Sequence, residues 1–162
     1  MEDALRRISQ SESGWVSRAD NSAIYQSEKR LWDDAGIDPL GQAWYQPYGQ
    51  GMIATLAAAT ERQAYTLVDR PTFLERQSQL DLAVQLEDQP DLLWLYHVIV
   101  VNPAKGSWID ERGARTFSQY VLGEEAQELI RTYAPARFGQ AIFTPDAGHS
   151  EWELRPTPRA AR

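Results

Sequence analysis

A short run of polar side chains, SRADNS at residues 17–22, stands between an apolar segment and the start of a helical pattern. Arg18 supplies a guanidinium, a planar fork of N–H donors that stays charged at any relevant pH. Ser22 is placed to open the helix, whose first N–H groups are themselves donors at a positive dipole end. Taken alone, the pattern is most simply a routine helix N-cap by Ser22 or Asp20. The alternative is an anion site at the helix N-terminus.

Two further junctions between a predicted strand and a predicted helix carry similar residues. Gly49-Gln50-Gly51 leads into Met52, and glycine lets a ligand approach the backbone closely. Asp69 and Arg70 precede Pro71, which suits the first turn of another helix. Ligands bind outside the carboxyl ends of strands in an open α/β sheet, so convergence of the three junctions predicts a cradle for an oxyanion. Taken singly, each junction is also explained by an N-cap, turn glycines or a surface ion pair.

The elements that position these junctions follow from apolar periodicity and from Gly, Pro and cap residues. Six helices are predicted, at residues 3–10, 22–35, 52–62, 71–77, 111–122 and 124–133. Strands are predicted at residues 15–17, within 41–51, and at 64–68, 82–86, 92–101 and 140–144. The strongest apolar run is LLWLYHVIVV, at 92–101. Strands that alternate with helices predict an α/β fold with a largely parallel sheet.

Composition restricts the classes of function. The formal net charge of −7 and the isoelectric point near 4.8 disfavour nucleic acid and anionic membrane surfaces as partners, because both attract basic proteins. The chain has no cysteine, and His97 and His149 lack companion ligands at zinc spacing, so no metal site is predicted. No apolar run reaches the roughly 18 to 20 residues of a membrane span, so no membrane insertion is expected. The N-terminal segment also lacks the apolar centre of a signal peptide.

Catalysis is not predicted. The adjacent carboxylates Asp33-Asp34 and Glu124-Glu125 fall on helix surfaces and point in different directions, which is typical of solvated charge. Ser17 has no histidine or lysine assigned to it as a base, so no activated nucleophile is evident. The residues therefore favour a binding module over an enzyme.

Five segments, in order along residues 14–147, carry a resemblance to a known family. They are GWVSRADNSAIYQSEKRLWDDAGIDP, WYQPYGQGMIATL, AYTLVDRPTFL, HVIVVNP and FGQAIFTPDA. The chain resembles the tungstate- and molybdate-binding substrate-binding proteins of ABC transporters. The resemblance implies a type II periplasmic-binding-protein fold, in which two α/β lobes hold a tetrahedral oxyanion between them.

The resemblance also implies a division of the chain into lobes. Residues 14–91 would form an essentially whole second α/β lobe that carries the arginine motif. Residues 1–13 and 92–147 would form the hinge and part of the first lobe. Residues 148–162, rich in Pro, Arg and Ala, are expected to be a disordered tail. The family's early first-lobe segment has no counterpart here, so the chain resembles the C-terminal portion of such a protein.

Site residues follow from the same resemblance. Arg18 matches the ligand arginine of the family and is expected to neutralise the anion's charge. The other predicted ligand contacts are Ser17, Ser22, Gly51 and Met52. Structural support, without ligand contact, is expected from Asp20, Asp69 and Arg70.

Three motifs depart from the family pattern. Ile24 stands where the family has a threonine hydroxyl, and Ile53 stands where it has a glycine. The family's T-D-R-G-T motif is Val68-Asp69-Arg70-Pro71-Thr72 in this chain. Lost donors keep a second hypothesis open, that of a regulatory or protein-interaction domain derived from such a binding protein, with a decayed ligand site.

The leading hypothesis also predicts the setting of the protein. The ligand is tungstate or molybdate, no cofactor is needed, and the partner is an ABC transporter permease. The expected location is periplasmic or extracellular. The second hypothesis would instead be supported by a homodimer through the incomplete first lobe, because that lobe exposes apolar surface.

Overall fold

The computed structural model describes residues 1–133 and 135–149, without the side chain of Ala136. The chain divides into two compact units, Met1–Leu92 and Leu93–Arg162. The elements of the first unit are α1 (Glu2–Gln10), β1 (Trp15–Ser17), α2 (Ala23–Asp34), β2 (Tyr45–Pro47), α3 (Met52–Arg62) and α4 (Arg70–Arg76). The described helices of the second unit are α5 (Glu111–Leu122), α6 (Glu124–Tyr133) and α7 (Pro135–Phe138). Short 3-10 turns cover Gln77–Gln79, Pro90–Leu92 and Pro103–Lys105.

The six predicted helices are confirmed, with ends that differ by at most one residue, because local signals define where each helix begins and ends. Helices α3, α5 and α6 have the predicted bounds. Ser22 is the N-cap of α2 rather than its first helical residue, and its hydroxyl accepts a hydrogen bond from Tyr25 N–H at 3.2 Å. Gly36, with φ of 70°, follows the end of α2 in the left-handed conformation that ends many helices.

The sheet is short and parallel. β1 pairs with β2, so that Trp15 lies opposite Tyr45 and Ser17 opposite Pro47. Tyr65 adds a parallel bridge to Trp15, because its C=O accepts Val16 N–H at 2.8 Å. β1 is therefore central, and the segments that follow β1, β2 and Tyr65 all leave from one edge of the sheet.

Four strand predictions need correction. Segments 82–86, 92–101 and 140–144 form no strand, and within 64–68 only Tyr65 makes a bridge. In the described part of the chain, residues 93–101 make no backbone hydrogen bond to any segment, and Ile99 is 81% exposed. A strand requires a neighbour for its N–H and C=O groups, and an apolar run by itself does not provide one.

An aromatic cluster forms the core of the first unit. It contains Trp15, Trp32, Trp44 and Tyr45, with Leu5 of α1 packed among them. The Trp32 ring lies 5.1 Å from the Trp15 ring and 5.5 Å from the Trp44 ring, centroid to centroid. Because these rings come from β1, α2 and the start of β2, the cluster fixes α2 against the sheet.

In the described part of the second unit, Asp110 caps α5 by accepting Gly113 N–H at 2.9 Å. Among the residues described in both units, no helix is both long and apolar enough to span a bilayer.

The assignment of 14–91 to one lobe, and of 1–13 with 92–147 to the other, stays a prediction. Of the predicted tail at 148–162, residues 150–162 lie outside the described residues.

Candidate functional site

Arg18 follows β1 directly and is held by Asp20. Its Nε donates to Oδ2 of Asp20 at 2.7 Å, and Oδ1 of the same carboxylate accepts Ser22 N–H at 2.9 Å. Within the described residues, the two Nη groups of Arg18 form no hydrogen bond, and the side chain is 23% exposed. The terminal edge of the guanidinium is therefore available to an acceptor from outside the chain.

Asp20 remains ionised at neutral pH. Hydrogen bonding to Ser22 and then to Arg18 lowers the pKa of Asp20, although desolvation opposes part of this effect. The carboxylate therefore holds both the guanidinium and the start of α2 in place.

The two serines of this junction differ in exposure and in bonding. Ser17 is fully buried, and its Oγ accepts a hydrogen bond from Ala19 N–H at 3.2 Å. Ala19 has φ of 47°, which is uncommon for a residue other than glycine, so this bond supports an unfavourable backbone conformation. Ser22 is half-buried, and a ligand contact by either serine stays a prediction.

The second junction begins α3 without a capping side chain. Gly51 is the N-cap, and its φ of 79° with ψ of 169° belongs to a region that is essentially restricted to glycine. The first-turn N–H groups of α3, that of Met52 included, have no acceptor within the helix. Ser22 caps α2 and Asp69 caps α4, so α3 is the helix at this edge that leaves its N-terminal donors to a ligand or to water.

The first two junctions lie side by side. Tyr48 N–H donates to the Ser17 carbonyl at 2.9 Å, and Gly49 N–H donates to the Arg18 carbonyl at 3.0 Å. These two bonds extend the β1–β2 pairing beyond the strand ends. They bring the arginine loop next to the loop that opens α3.

Apolar side chains from all three junctions meet beneath this edge. The cluster consists of Ile24, Met52 and Leu56, with Leu67 and Val68 packed against it. Ile24 is 4% exposed, so the residue that replaces the family's threonine faces the core. Ile53, in contrast, is 54% exposed in the first turn of α3.

The third junction turns its polar groups to other parts of the chain. Asp69 caps α4 by accepting Thr72 N–H at 2.9 Å. Arg70 donates through Nη2 to Glu87 at 3.0 Å and to Asp88 at 2.6 Å, and in the described residues it does not pair with Asp69. Both side chains are therefore already bonded within the protein.

Sequence reasoning missed a carboxyl group beneath the site. Glu28 lies on the buried face of α2 with Leu31 and Trp32, and it is 1% exposed. Its Oε1 accepts hydrogen bonds from Trp15 Nε1 at 3.0 Å and from the Tyr45 hydroxyl at 2.8 Å. The available signal was an acidic residue three and four positions before Leu31 and Trp32, within an apolar stripe.

We expect the protein to lose stability as the pH rises through the titration of Glu28. Burial raises the pKa of Glu28 above its ordinary 4.5, and hydrogen bonds from Tyr45, Ser17 and Trp15 offset only part of the rise. The folded state therefore holds this proton more tightly than the unfolded state. Between pH 4.5 and the raised pKa, the free energy of unfolding should decrease by up to about 1.4 kcal/mol per pH unit from this group.

Urea unfolding of the wild type and of Glu28→Gln between roughly pH 4 and pH 8 isolates this contribution. Other titrating groups cancel in the difference between the two proteins. The difference should move in favour of the glutamine variant as the pH rises, and a difference that does not change with pH would contradict the prediction.

No group of three or more His, Asp, Glu or Cys side chains among the described residues is arranged to hold a metal ion. The carboxyl ends of the strands present one guanidinium, one uncapped helix N-terminus and a serine hydroxyl. These donors suit a small anion.

Residues 2–125 match the family model of the PBP superfamily domain. The chain therefore belongs to the periplasmic-binding-protein superfamily. It is 40% identical over 144 residues to the tungstate-binding protein TupA of Peptoclostridium acidaminophilum. The aligned region covers 89% of this chain and 50% of that protein. The chain spans about half the length of the curated relatives that it matches.

Solved structures of similar proteins share the fold of this chain. The tungstate-binding protein TupA from Desulfovibrio alaskensis G20 superposes with a TM-score of 0.75 at 29% identity, over 90% of this chain and 60% of that one. The tungstate ABC transporter protein from Geobacter sulfurreducens gives a TM-score of 0.64 at 33% identity, over 80% of this chain and 54% of that one. The resemblance and the fold class predicted from the motifs are thus confirmed.

Proposed function

We propose that this chain binds a tetrahedral oxyanion, tungstate or molybdate, as a solute-binding component of an ABC transporter. The observation that carries the proposal is that two sets of donors suited to an anion, the Arg18 loop and the N-terminus of α3, lie next to each other. Gly49 N–H bonds to the Arg18 carbonyl at 3.0 Å, next to the uncapped N-terminus of α3. Relatives named as tungstate-binding proteins support the choice of ligand. The proposal includes neither a cofactor nor catalysis.

Four of the five predicted ligand residues have a defined physical role in the proposal. Arg18 neutralises charge through its Nη groups. Ser22 accepts Tyr25 N–H with its oxygen, which leaves its own hydroxyl proton to donate. The N–H groups of Gly51 and Met52 add donors at the positive end of α3. The remaining predicted contact is Ser17, and the supporting residues are Asp20, Asp69 and Arg70.

The alternative of a decayed ligand site has less support. It is argued from Ile24 and Ile53. The Ile24 side chain packs with Met52 and Leu56 in the core, whereas Ile53 is exposed in the first turn of α3. The backbone N–H groups that we propose as donors do not depend on the Ile24 side chain.

The proposal extends to the partner and the location. The relative from Geobacter sulfurreducens is named as part of a tungstate ABC transporter, which supports a permease as the partner. A periplasmic or extracellular location follows from that role. The homodimer stays a prediction, which sedimentation velocity can test.

Calorimetric titration of the chain with sodium tungstate, and separately with sodium molybdate, tests the proposal. We expect saturable binding and, at a ligand concentration of 100 Kd, an added stability of about 2.7 kcal/mol that appears as a higher Tm. Sodium sulfate reports selectivity among tetrahedral dianions, and sodium chloride at equal ionic strength controls for screening. Absence of saturable heat at millimolar tungstate, with an unchanged Tm, would contradict the proposal.

A further inference from the structure

Glu28 is a buried carboxyl group that the proposed ligand contacts do not use. It is 1% exposed and lies in the second turn of α2, behind the arginine loop. A buried carboxyl group is costly unless hydrogen bonds compensate it, so its partners indicate what it does.

The partners of Glu28 belong to the elements that carry the two anion-binding junctions. Oε1 accepts one hydrogen bond from Trp15 on β1, at 3.0 Å, and another from Tyr45 on β2, at 2.8 Å. β1 and α2 border the arginine loop, and β2 leads into the loop that opens α3. One oxygen atom therefore ties together the three elements from which both loops extend.

Ser17 is the last residue of β1 and supports the arginine loop. Its Oγ accepts Ala19 N–H at 3.2 Å. Ala19 is the residue with φ of 47°, directly after Arg18. Trp15, which donates to Glu28, lies two residues before Ser17 on the same strand, so Glu28 fixes the strand that leads directly into the backbone of Arg18.

We propose that Glu28 is a positioning residue for the oxyanion site, which holds the Arg18 loop and the α3 loop in their binding conformation through Trp15 and Tyr45. This inference rests on the proposed function for its ligand. Its structural content, the control of loop conformation by Glu28, is independent of the ligand.

Three variants separate positioning from general stability. Glu28→Gln keeps an oxygen that can accept both hydrogen bonds, and Glu28→Leu removes the acceptor at similar size. Leu5→Ala is the matched control, because Leu5 is 1% exposed in the same core but comes from α1 and borders neither loop. All are measured at a temperature where far-UV circular dichroism shows each variant to be folded.

The first readout is the affinity for sodium tungstate by calorimetry. Glu28→Leu should weaken binding about tenfold or more, whereas Glu28→Gln and Leu5→Ala should stay within about threefold of the wild type. Equal affinity of Glu28→Leu and wild type would overturn the proposal. A loss in Leu5→Ala as large as that in Glu28→Leu would do the same, since it would reduce Glu28 to a stabilising residue.

The second readout needs no ligand. Amide hydrogen exchange, followed by NMR, reports on Ala19 N–H and Gly49 N–H, which are bonded within and between the two loops. Both should exchange about tenfold or more faster in Glu28→Leu than in Leu5→Ala, and loop exchange that matches in the two variants would refute positioning. If the wild type binds no tungstate, the proposed function fails while this readout still decides the role of Glu28.

A folding failure of Glu28→Leu does not remove the test. Tyr45→Phe then replaces it, because this change removes one donor to Glu28 while it keeps the ring in the core. Its loop amides should exchange faster than those of Leu5→Ala, and unchanged loop exchange would overturn the proposal.

Discussion

Replacement of Arg18 by alanine should abolish measurable tungstate binding, with an affinity loss of about 100-fold or more. Hydrogen bonds to a charged group contribute about 1.5 to 3 kcal/mol each, and the two free Nη groups can make at least two of them to one dianion. Each 1.4 kcal/mol corresponds to a factor of ten in Kd. The fold should persist, because Arg18 is partly exposed and its pair with Asp20 contributes little to stability.

Two further variants show whether the effect belongs to the guanidinium at this position. Arg18→Lys keeps the charge but loses the planar fork, so its affinity should fall between those of the wild type and Arg18→Ala. Arg70→Ala removes the same charge from the same unit, but from a side chain already paired with Glu87 and Asp88. At about 0.15 M salt, where the Debye length is about 8 Å, its affinity should remain near that of the wild type.

The outcome is measured by calorimetric titration with sodium tungstate, with circular dichroism as the check on folding. Unchanged affinity in Arg18→Ala would remove Arg18 from the site. Equal losses in Arg18→Ala and Arg70→Ala would mean that overall charge, and not a specific contact, governs binding.

Helices were predictable from the sequence because their signals are local. Asp110 before α5 and the glycine Gly123 between α5 and α6 lie within one turn of the ends that they define. A strand depends on a partner segment that the sequence pattern does not identify. The composition of residues 92–101 predicts a buried strand, yet in the described chain residues 93–101 make no backbone hydrogen bond.

The candidate site likewise has features that local sequence signals predict and features that depend on distant contacts. The motifs located the arginine loop and the α3 loop, since glycines and N-caps occur next to the helices that they start. The role of Glu28 depends on Trp15, 13 residues away, and on Tyr45, 17 residues away. Contacts at such separations depend on how β1 and β2 pair with α2, so periodicity can mark Glu28 as unusual without naming its partners.

The inward orientation of Ile24 is a similar case. Motif comparison placed it at the position of a ligand hydroxyl and so suggested a weakened site. Helical periodicity gives a different answer, because Ile24 is four residues before Glu28 and eight before Trp32 and thus shares their buried face. A residue at a motif position can serve the packing of the loop, not the ligand.

Replacement of Trp32 by alanine should destabilise the first unit by about 3 to 5 kcal/mol, which is the usual cost of removing a large aromatic side chain from a core. Trp32 is 1% exposed, and its ring contacts those of Trp15, Trp44 and Tyr45 at centroid distances of 5.1, 5.5 and 6.4 Å. These neighbouring rings come from β1 and from the start of β2, so removal of the Trp32 ring removes the contacts that pack α2 against the sheet.

Native-state hydrogen exchange of Val16 N–H and Tyr65 N–H, which are bonded across the sheet, measures this effect in the first unit itself. Trp32→Phe retains one aromatic ring and should lose clearly less stability than Trp32→Ala. Leu40→Ala truncates an apolar side chain that is 63% exposed and should change stability by no more than about 0.5 kcal/mol. Similar exchange rates in Trp32→Ala and Leu40→Ala would show that the aromatic cluster does not hold α2 to the sheet, and the two loops of the proposed anion site would then need another source of rigidity.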